Sequence, residues 1–277
     1  EPLAQGTALH RTLSNSIPAG KFLTAHDFNQ SVGIIVNARM ASQRLPRKAT
    51  RKICGRETVA LLLERMRHCR GVAGVVLATT ENTEDDVLVE LAKREGIEVF
   101  RGPDINVALR LQMAAKQYGF DHIVRVTGDD LLRDIPMIET AIENHLEANA
   151  DYTAMDGMVY SCDTEIISYR ALATVVERAR KSENTEYLTW YLDDQSAFVQ
   201  NRILVPEVYS RPYRLTLDTE ADFQVLEAIY EALYLPGKPV DLKEALKFLD
   251  QHPEIAALNA AITPKLTRQQ LDLRLDI

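Results

Sequence analysis

Cysteine is scarce in this chain, and what there is carries no pattern. Cys54, Cys69 and Cys162 form an odd, scattered set without a CxxC pair, so neither a disulfide framework nor a zinc site follows from them. The six histidines are equally dispersed, none at metal-ligand spacing from another. Long apolar runs are missing too. No stretch reaches the roughly 18 residues that a membrane span needs, and nothing resembles a signal peptide. Positive charge is not in excess either: with a net charge of −8 over 277 residues, the chain is a poor candidate for coating nucleic acid. No internal repeat and no low-complexity segment interrupts it. The expectation is a cytoplasmic protein with one large α/β domain or two small ones, and ample material for a core.

One basic stretch stands out against the acidic background. Val32 to Val36 is a run of β-branched residues with a single glycine, which reads as a buried strand. It passes directly into a loop carrying Arg39, Arg44, Arg47, Lys48, Arg51 and Lys52. Positive charge gathered at the end of a buried strand is placed to hold a polyanion, most simply the phosphates of a nucleotide. A solvated basic loop before a helix has the same charge pattern.

From Val32 onward strands and helices alternate, which predicts a sheet with a parallel majority covered on both faces. Strands are expected at Gly74–Thr79, Glu98–Phe100 and His122–Thr127. Amphipathic helices are expected at Thr58–His68, at Glu84–Arg94, after the turn at Gly102-Pro103-Asp104 through Tyr118, and from Pro136 to about Ala148. In the middle section Asp151–Val159 and Ala197–Val205 read as strands, and Tyr169–Lys181 and Glu186–Leu192 as helices. Tyr213–Leu217 reads as a late strand, Glu220–Leu233 as a strong helix, and Leu242–Gln251 and Glu254–Ala261 as two further helical pieces. No linker divides residues 32–262, which are taken as one domain, followed by a polar tail at 263–277.

In open α/β sheets ligands sit beyond the carboxyl ends of the strands. Three such ends carry groups that suit a common purpose. They are the basic loop, Asp129 with Asp130, and Asp218 with Asp222 a helical turn further on. Carboxylates from separate strand ends can share a magnesium ion, and basic side chains would hold phosphates from the other side, the arrangement that phosphoryl or nucleotidyl transfer needs. Each part also has a structural reading. Asp129 after Gly128 suits a turn; Asp218-Thr219 suits a helix N-cap with Asp222 in the first turn. Glu84, Asp85 and Asp86 read as the acidic first turn of a helix and nothing more.

The order of these blocks resembles the SpsF-type cytidylyltransferases, the spore-coat-polysaccharide branch of the superfamily that holds the CMP-sialic-acid and CMP-Kdo synthetases. Where that group has IIQARMxSxRLPGK, the chain reads IIVNARMASQRLPRK. VLATTENTEDD with LAKREGIEVFRG matches the second-strand region, VRVTGDD the metal-binding turn, and YRLTLDTEADFQVLEAIYEAL the C-terminal signature. The likeness spans roughly residues 32–233 in ordered blocks. It implies a three-layer α/β/α Rossmann-like nucleotidyltransferase with a mostly parallel mixed sheet. It also implies attack of a sugar hydroxyl or sugar phosphate on the α-phosphorus of CTP, with Mg2+ as cofactor and pyrophosphate as product, for a surface polysaccharide or glycan. By the same resemblance Arg39, Ser42, Arg44 and Lys48 match the triphosphate loop, and Ala38 with Thr79, Thr80 and Asn82 lie where base and ribose are held. Arg110 stands near the nucleotide, Asp129 and Asp218 match the metal ligands, and Glu183–Tyr187 lies near the acceptor sugar. A homodimer formed through the middle section is implied, with no nucleic acid and no membrane insertion.

The chain departs from the family at several points. Arg47 stands where glycine is usual, in a loop whose backbone must approach phosphate; a glycine there adopts φ > 0 freely and an arginine does not. Asn37 replaces Gln, Ala108 replaces a frequent Asp, and Asp130-Leu131 replaces Cys-Pro. Arg47 is therefore expected either to add a phosphate contact or to impair turnover. Residues 1–31 read as a linker or as the relic of a fused upstream module, with a short likeness (Arg11, Ile17, Gly20, Leu23, Asp27) to the SAF domain of sialic-acid synthases. Two other readings remain open. One is a GT-A-type glycosyltransferase using Asp129-Asp130, against which the basic loop and the lack of a D-x-D spacing count. The other is a degenerate, non-catalytic nucleotide-binding module of a fused protein.

Overall fold

The computed structural model describes residues 9–12, 30–42, 44–263 and 268–276. The SAF-like reading falls largely outside them. Among the described residues eight strands form one sheet, in the spatial order Leu9–Thr12, Gln200–Leu204, Tyr152–Asp156, Glu165–Ser168, His122–Thr127, Val32–Asn37, Gly74–Thr80, Glu98–Gly102. Its centre is β2 (Val32–Asn37), flanked in parallel by β5 (Gly74–Thr80) and β7 (His122–Thr127). Val32, Ile34, Ile35 and Val36 are fully buried, as a strand covered on both faces must be. Gly33 is required there, because the ring of Phe120 fills the space that a β-carbon would occupy.

Beyond β5 the sheet ends at β6 (Glu98–Gly102). On the other side β9 (Glu165–Ser168) runs antiparallel to β7 and to β8 (Tyr152–Asp156), and β10 (Gln200–Leu204) and β1 (Leu9–Thr12) follow in parallel. One apolar layer holds side chains of α1 (Thr58–Arg67), α2 (Asp86–Arg94), α4 (Ile135–Glu147), α7 (Glu220–Leu233) and α8 (Leu242–Gln251). The opposite layer holds those of α3 (Val107–Tyr118), α5 (Tyr169–Arg178) and α6 (Leu188–Leu192). The result is the expected three-layer α/β/α arrangement around a mixed, mainly parallel sheet.

Several expectations are corrected. Tyr213–Leu217 is not a strand: its Arg214 makes a single bridge to Tyr160, and the Leu217 amide donates to the Asp129 carbonyl at 3.2 Å. That contact brings Asp218 alongside the turn that holds Asp129. The antiparallel β9 lies in a stretch read as no element, since four residues leave too short a period to detect. The segment read as a helix at Glu186–Leu192 is a 3-10 helix over Ser182–Tyr187 followed by the short α6. The last helical piece shrinks to α9 (Pro253–Ala256). A two-residue hairpin, β3 (Lys52–Ile53) and β4 (Arg56–Glu57), closes through Cys54-Gly55, both at positive φ as such turns require. Part of the polar tail is docked: Leu273 and Leu275 pack on the α3/α5/α6 layer, and Asp272 accepts from Asn184 at 3.0 Å.

Candidate active site

The loop leaving β2 is fastened at both ends. At its start the Ala38 amide donates to the Ala78 carbonyl, and the Met40 amide donates to the Asp85 carboxylate at 2.7 Å. At its end a 3-10 turn, Lys48–Thr50, docks on the first residue of α1: the Thr58 hydroxyl donates to the Lys48 carbonyl at 2.6 Å, and the Thr58 amide to the Arg51 carbonyl at 2.8 Å. These anchors direct the Lys48 side chain across the carboxyl edge of the sheet.

Its ammonium lies 2.7 Å from Asp129 and 3.0 Å from Asp218. Arg44 reaches the second oxygen of Asp218 at 2.8 Å, and Arg214 supports it from behind at 3.2 Å. Burial disfavours both members of the Lys48–Asp129 pair, and their proximity outweighs it. The two carboxylates raise Lys48, and the ammonium holds Asp129 down to about 2. Two carboxylates from distant segments therefore share one point of positive charge. Both are hard oxygen donors of the kind Mg2+ takes alongside phosphate oxygens and water. Among the described residues no group of three or more His, Cys, Asp or Glu has metal-site geometry, so a cation here would draw its remaining ligands from elsewhere.

The neighbouring carboxylates have other work. Asp130 is 2% exposed and accepts from the Thr127 amide and hydroxyl, from Ser161 and from Arg133. The Asp-Leu pair found where the family has Cys-Pro thus makes a buried ion pair. Asp222, fully buried, closes a capping box with Thr219 at the start of α7 and binds Arg214 and Asn259. Neither faces Lys48.

Arg39 extends to the other side of the cleft, 2.9 Å from Asp104 and 3.6 Å from Glu186. Glu186 belongs to the Glu183–Tyr187 segment, so that segment closes onto the basic loop, with Tyr187 stacked on Trp190 at 4.7 Å. Asn82 donates to the same Asp104 at 3.2 Å. Ala38 is buried at the loop entrance and Ser42 is half-buried within it.

Three sequence-predicted contact residues turn out to be committed elsewhere. The hydroxyls of Thr79 and Thr80 are buried against Asp85, and the Thr80 amide and carbonyl are taken by Asp85 and Arg101. Arg110, 1% exposed, donates to the Asn37 side chain at 2.7 Å and to the carbonyls of Pro103 and Asp104. Burial and the nearby Arg39 pull it down to about 10, still cationic at neutral pH. Asn37, a departure from the family, is thus the acceptor for Arg110, and Ala108 is buried in α3. Asp85 is the residue that sequence reasoning missed. At 1% exposure it ties the basic loop to the end of β5. Its position in an acidic helix start hid it, and the threonine pair six and five residues before it was the available signal.

Comparisons with known proteins point to one family. Residues 33–246 match the model of the cytidylyltransferase family. The chain is similar to an uncharacterized protein of Methanocaldococcus jannaschii, 31% identical over 237 residues that cover 85% of this chain and 97% of the relative. It is also similar to the spore coat polysaccharide biosynthesis protein SpsF of Bacillus subtilis, 27% identical over 80% of this chain and 95% of that protein. A solved cytidylyltransferase from Leptospira borgpetersenii superposes with a TM-score of 0.76 at 27% identity, over 86% of this chain and all of its own. A nucleotidyltransferase fold, a basic loop facing two carboxylates and a family match over most of the chain converge: this chain belongs to the cytidylyltransferase family.

Proposed function

We propose that this enzyme transfers CMP from CTP to an acidic or phosphorylated sugar, in a Mg2+-dependent reaction that releases pyrophosphate. The observation that carries the reading is the shared contact of Asp129 and Asp218 with Lys48, opposite Arg39 and Arg44. In the reaction, the acceptor oxygen forms a bond to the α-phosphorus as the bond to the β-phosphate oxygen breaks, pyrophosphate departs, and a hydroxyl acceptor releases its proton to solvent. Arg44 and Lys48 exchange carboxylate for phosphate partners and stabilise the charge that grows on the leaving group, a contribution of several kcal/mol in comparable sites. Arg39 leaves Asp104 and Glu186 for the triphosphate, which frees the Glu183–Tyr187 segment to meet the acceptor. Asp129 and Asp218 would hold the magnesium ion, which when bound supplies charge neutralisation between phosphate oxygens.

The name of the Bacillus subtilis relative supports a place in surface polysaccharide synthesis. The reading includes a cytoplasmic homodimer; light scattering on the purified protein tests the assembly. The decisive assay is pyrophosphate release with each of the four NTPs against a panel of acidic and phosphorylated sugars, with and without Mg2+. CTP should be preferred. Asp129→Ala and Asp218→Ala should each abolish release while circular dichroism stays unchanged, and activity retained by either variant would refute the metal assignment.

A further inference from the structure

Six cations crowd the segment after β2, and five face a carboxylate. Arg39 meets Asp104 and Glu186, Arg44 meets Asp218, and Lys48 meets Asp129 and Asp218. Arg51 pairs with Glu220, and Lys52 lies 3.9 Å from Glu57. Arg47 has no carboxylate partner among the described residues, and its side chain is exposed.

Arg47 is also held at φ 57 and ψ 27, in the left-handed region. The β-carbon makes that conformation sterically costly, and a glycine would adopt it freely. The turn keeps the conformation because the Arg47 carbonyl accepts from the Thr50 amide at 2.9 Å and from its hydroxyl at 3.1 Å. The arginine thus brings no backbone ease and, among the described residues, no internal ion pair. What it adds is one guanidinium with no carboxylate partner among the described residues, with five donors in a fork that matches phosphate oxygens. Its neighbours in the loop, Arg44 and Lys48, both end on Asp218, so Arg47 belongs to the loop that supplies the cations of that site.

We propose that Arg47 binds the β- and γ-phosphates of the nucleotide, and so the pyrophosphate product, as an anion contact that a glycine-bearing loop lacks. This rests on reading the chain as a CTP-using transferase. Arg47 is a binding residue here; it neither makes nor breaks a bond. A triphosphate must displace the internal carboxylates from Arg39, Arg44 and Lys48, whereas Arg47 is available to it from the outset.

The test compares the parent protein with Arg47→Gly, Arg47→Ala and Arg47→Lys. Calorimetric titration uses Mg2+ with CTP, with inorganic pyrophosphate, and with CMP, which lacks the outer phosphates; thermal melting runs alongside. Arg47→Gly and Arg47→Ala should weaken CTP and pyrophosphate by about tenfold, the size of one charge-assisted contact, and leave CMP unchanged. Arg47→Lys should retain most of the affinity. Arg47→Gly should melt about 2 °C higher than the parent as the backbone relaxes, so that binding and stability move in opposite directions. CTP and pyrophosphate affinities equal to the parent's in the Gly and Ala variants, or a parallel loss for CMP, would overturn the proposal. Pyrophosphate binding that depends on Arg47 without any preference for CTP would instead overturn the nucleotide reading and leave the anion contact standing. A parent that binds neither ligand overturns both.

Discussion

The amide of Met40 donates to the buried carboxylate of Asp85 at 2.7 Å, across 45 residues of sequence. The other oxygen of Asp85 accepts from the Thr80 amide and from both threonine hydroxyls. One carboxylate therefore fixes the basic loop against the end of β5. Removing it strands several buried donors, at about 3 kcal/mol or more. Asp85→Ala should lose that much stability in urea unfolding and bind CTP at least tenfold more weakly. Asp85→Asn, which keeps one acceptor oxygen, should lose less stability while still weakening CTP. An unchanged urea midpoint in Asp85→Ala would show that the loop is held by other means.

Gly128 lets the turn that carries Asp129 approach the loop entrance. A β-carbon there would lie 2.8 Å from the β-carbon of Ala38 and 3.4 Å from its α-carbon, and neither atom belongs to a flexible side chain that can swing away. The Gly128 amide also donates to the Asn37 carbonyl at 2.9 Å. In Gly128→Ala the turn must retreat, and a displacement near 1 Å at a reacting centre costs on the order of a hundredfold in rate. Pyrophosphate release should fall by that factor. The double variant Gly128→Ala/Ala38→Gly removes the opposing β-carbon and should recover most of the rate. Failure of the second change to rescue would place the defect elsewhere.

The outline of this fold was legible because its strands are buried on both faces. Val32–Val36 and His122–Thr127 read directly as parallel strands, and the helices between them carry clear apolar stripes. The middle section read less well. β9 has only four residues, and its neighbours β8 and β10 came out shorter than their apolar runs. For the site, sequence pattern placed Lys48, Asp129 and Asp218 at separate strand ends, and the structure brings them together. It could not tell Asp129 from Asp130, since adjacent carboxylates in a turn point in different directions only once Arg133 and Ser161 are in place. Nor could it tell Arg110 from a ligand contact, because an arginine that clamps two carbonyls looks the same in sequence as one that clamps a phosphate. Asp85 was misread for a related reason: its partners, Met40 and the two threonines, converge only through the pairing of β2 with β5.

Arg110 is tied into the fold by its hydrogen bonds. Its guanidinium is buried between the Asn37 side chain and the carbonyls of Pro103 and Asp104, and Asp104 in turn holds Arg39. Arg110→Met keeps much of the apolar volume and removes every donor, leaving three part-buried acceptors without their arginine partner. A stability loss of about 3 kcal/mol should follow, read from urea unfolding. CTP affinity of the folded variant should fall only a few-fold, through loosening of Asp104 and Arg39. Unchanged stability with a large loss of CTP affinity would instead make Arg110 a direct nucleotide contact.

A buried histidine pair sets a pH dependence unrelated to the active site. His145 is fully buried; one ring nitrogen lies 2.9 Å from His122 and the other 2.7 Å from the Thr153 hydroxyl. Burial, with a smaller contribution from His122, pulls His145 down to about 3, and burial also lowers His122. A lowered histidine is neutral in the folded protein while the unfolded chain still takes up a proton below about pH 6.5. Stability contributed by neutral His145 is therefore fully present above pH 6.5 and declines as the pH falls from there toward 3. Between pH 6.5 and 5 the decline amounts to about 2 kcal/mol, at about 1.4 kcal/mol per pH unit. Urea unfolding at pH 7 and pH 5 should show the parent losing about 2 kcal/mol more than His145→Gln, which has no proton to take up. Acid-sensitive groups elsewhere affect both proteins alike and cancel in the difference. Equal losses in the two proteins would mean that His145 is protonated, or freed to solvent, in the folded chain at pH 5.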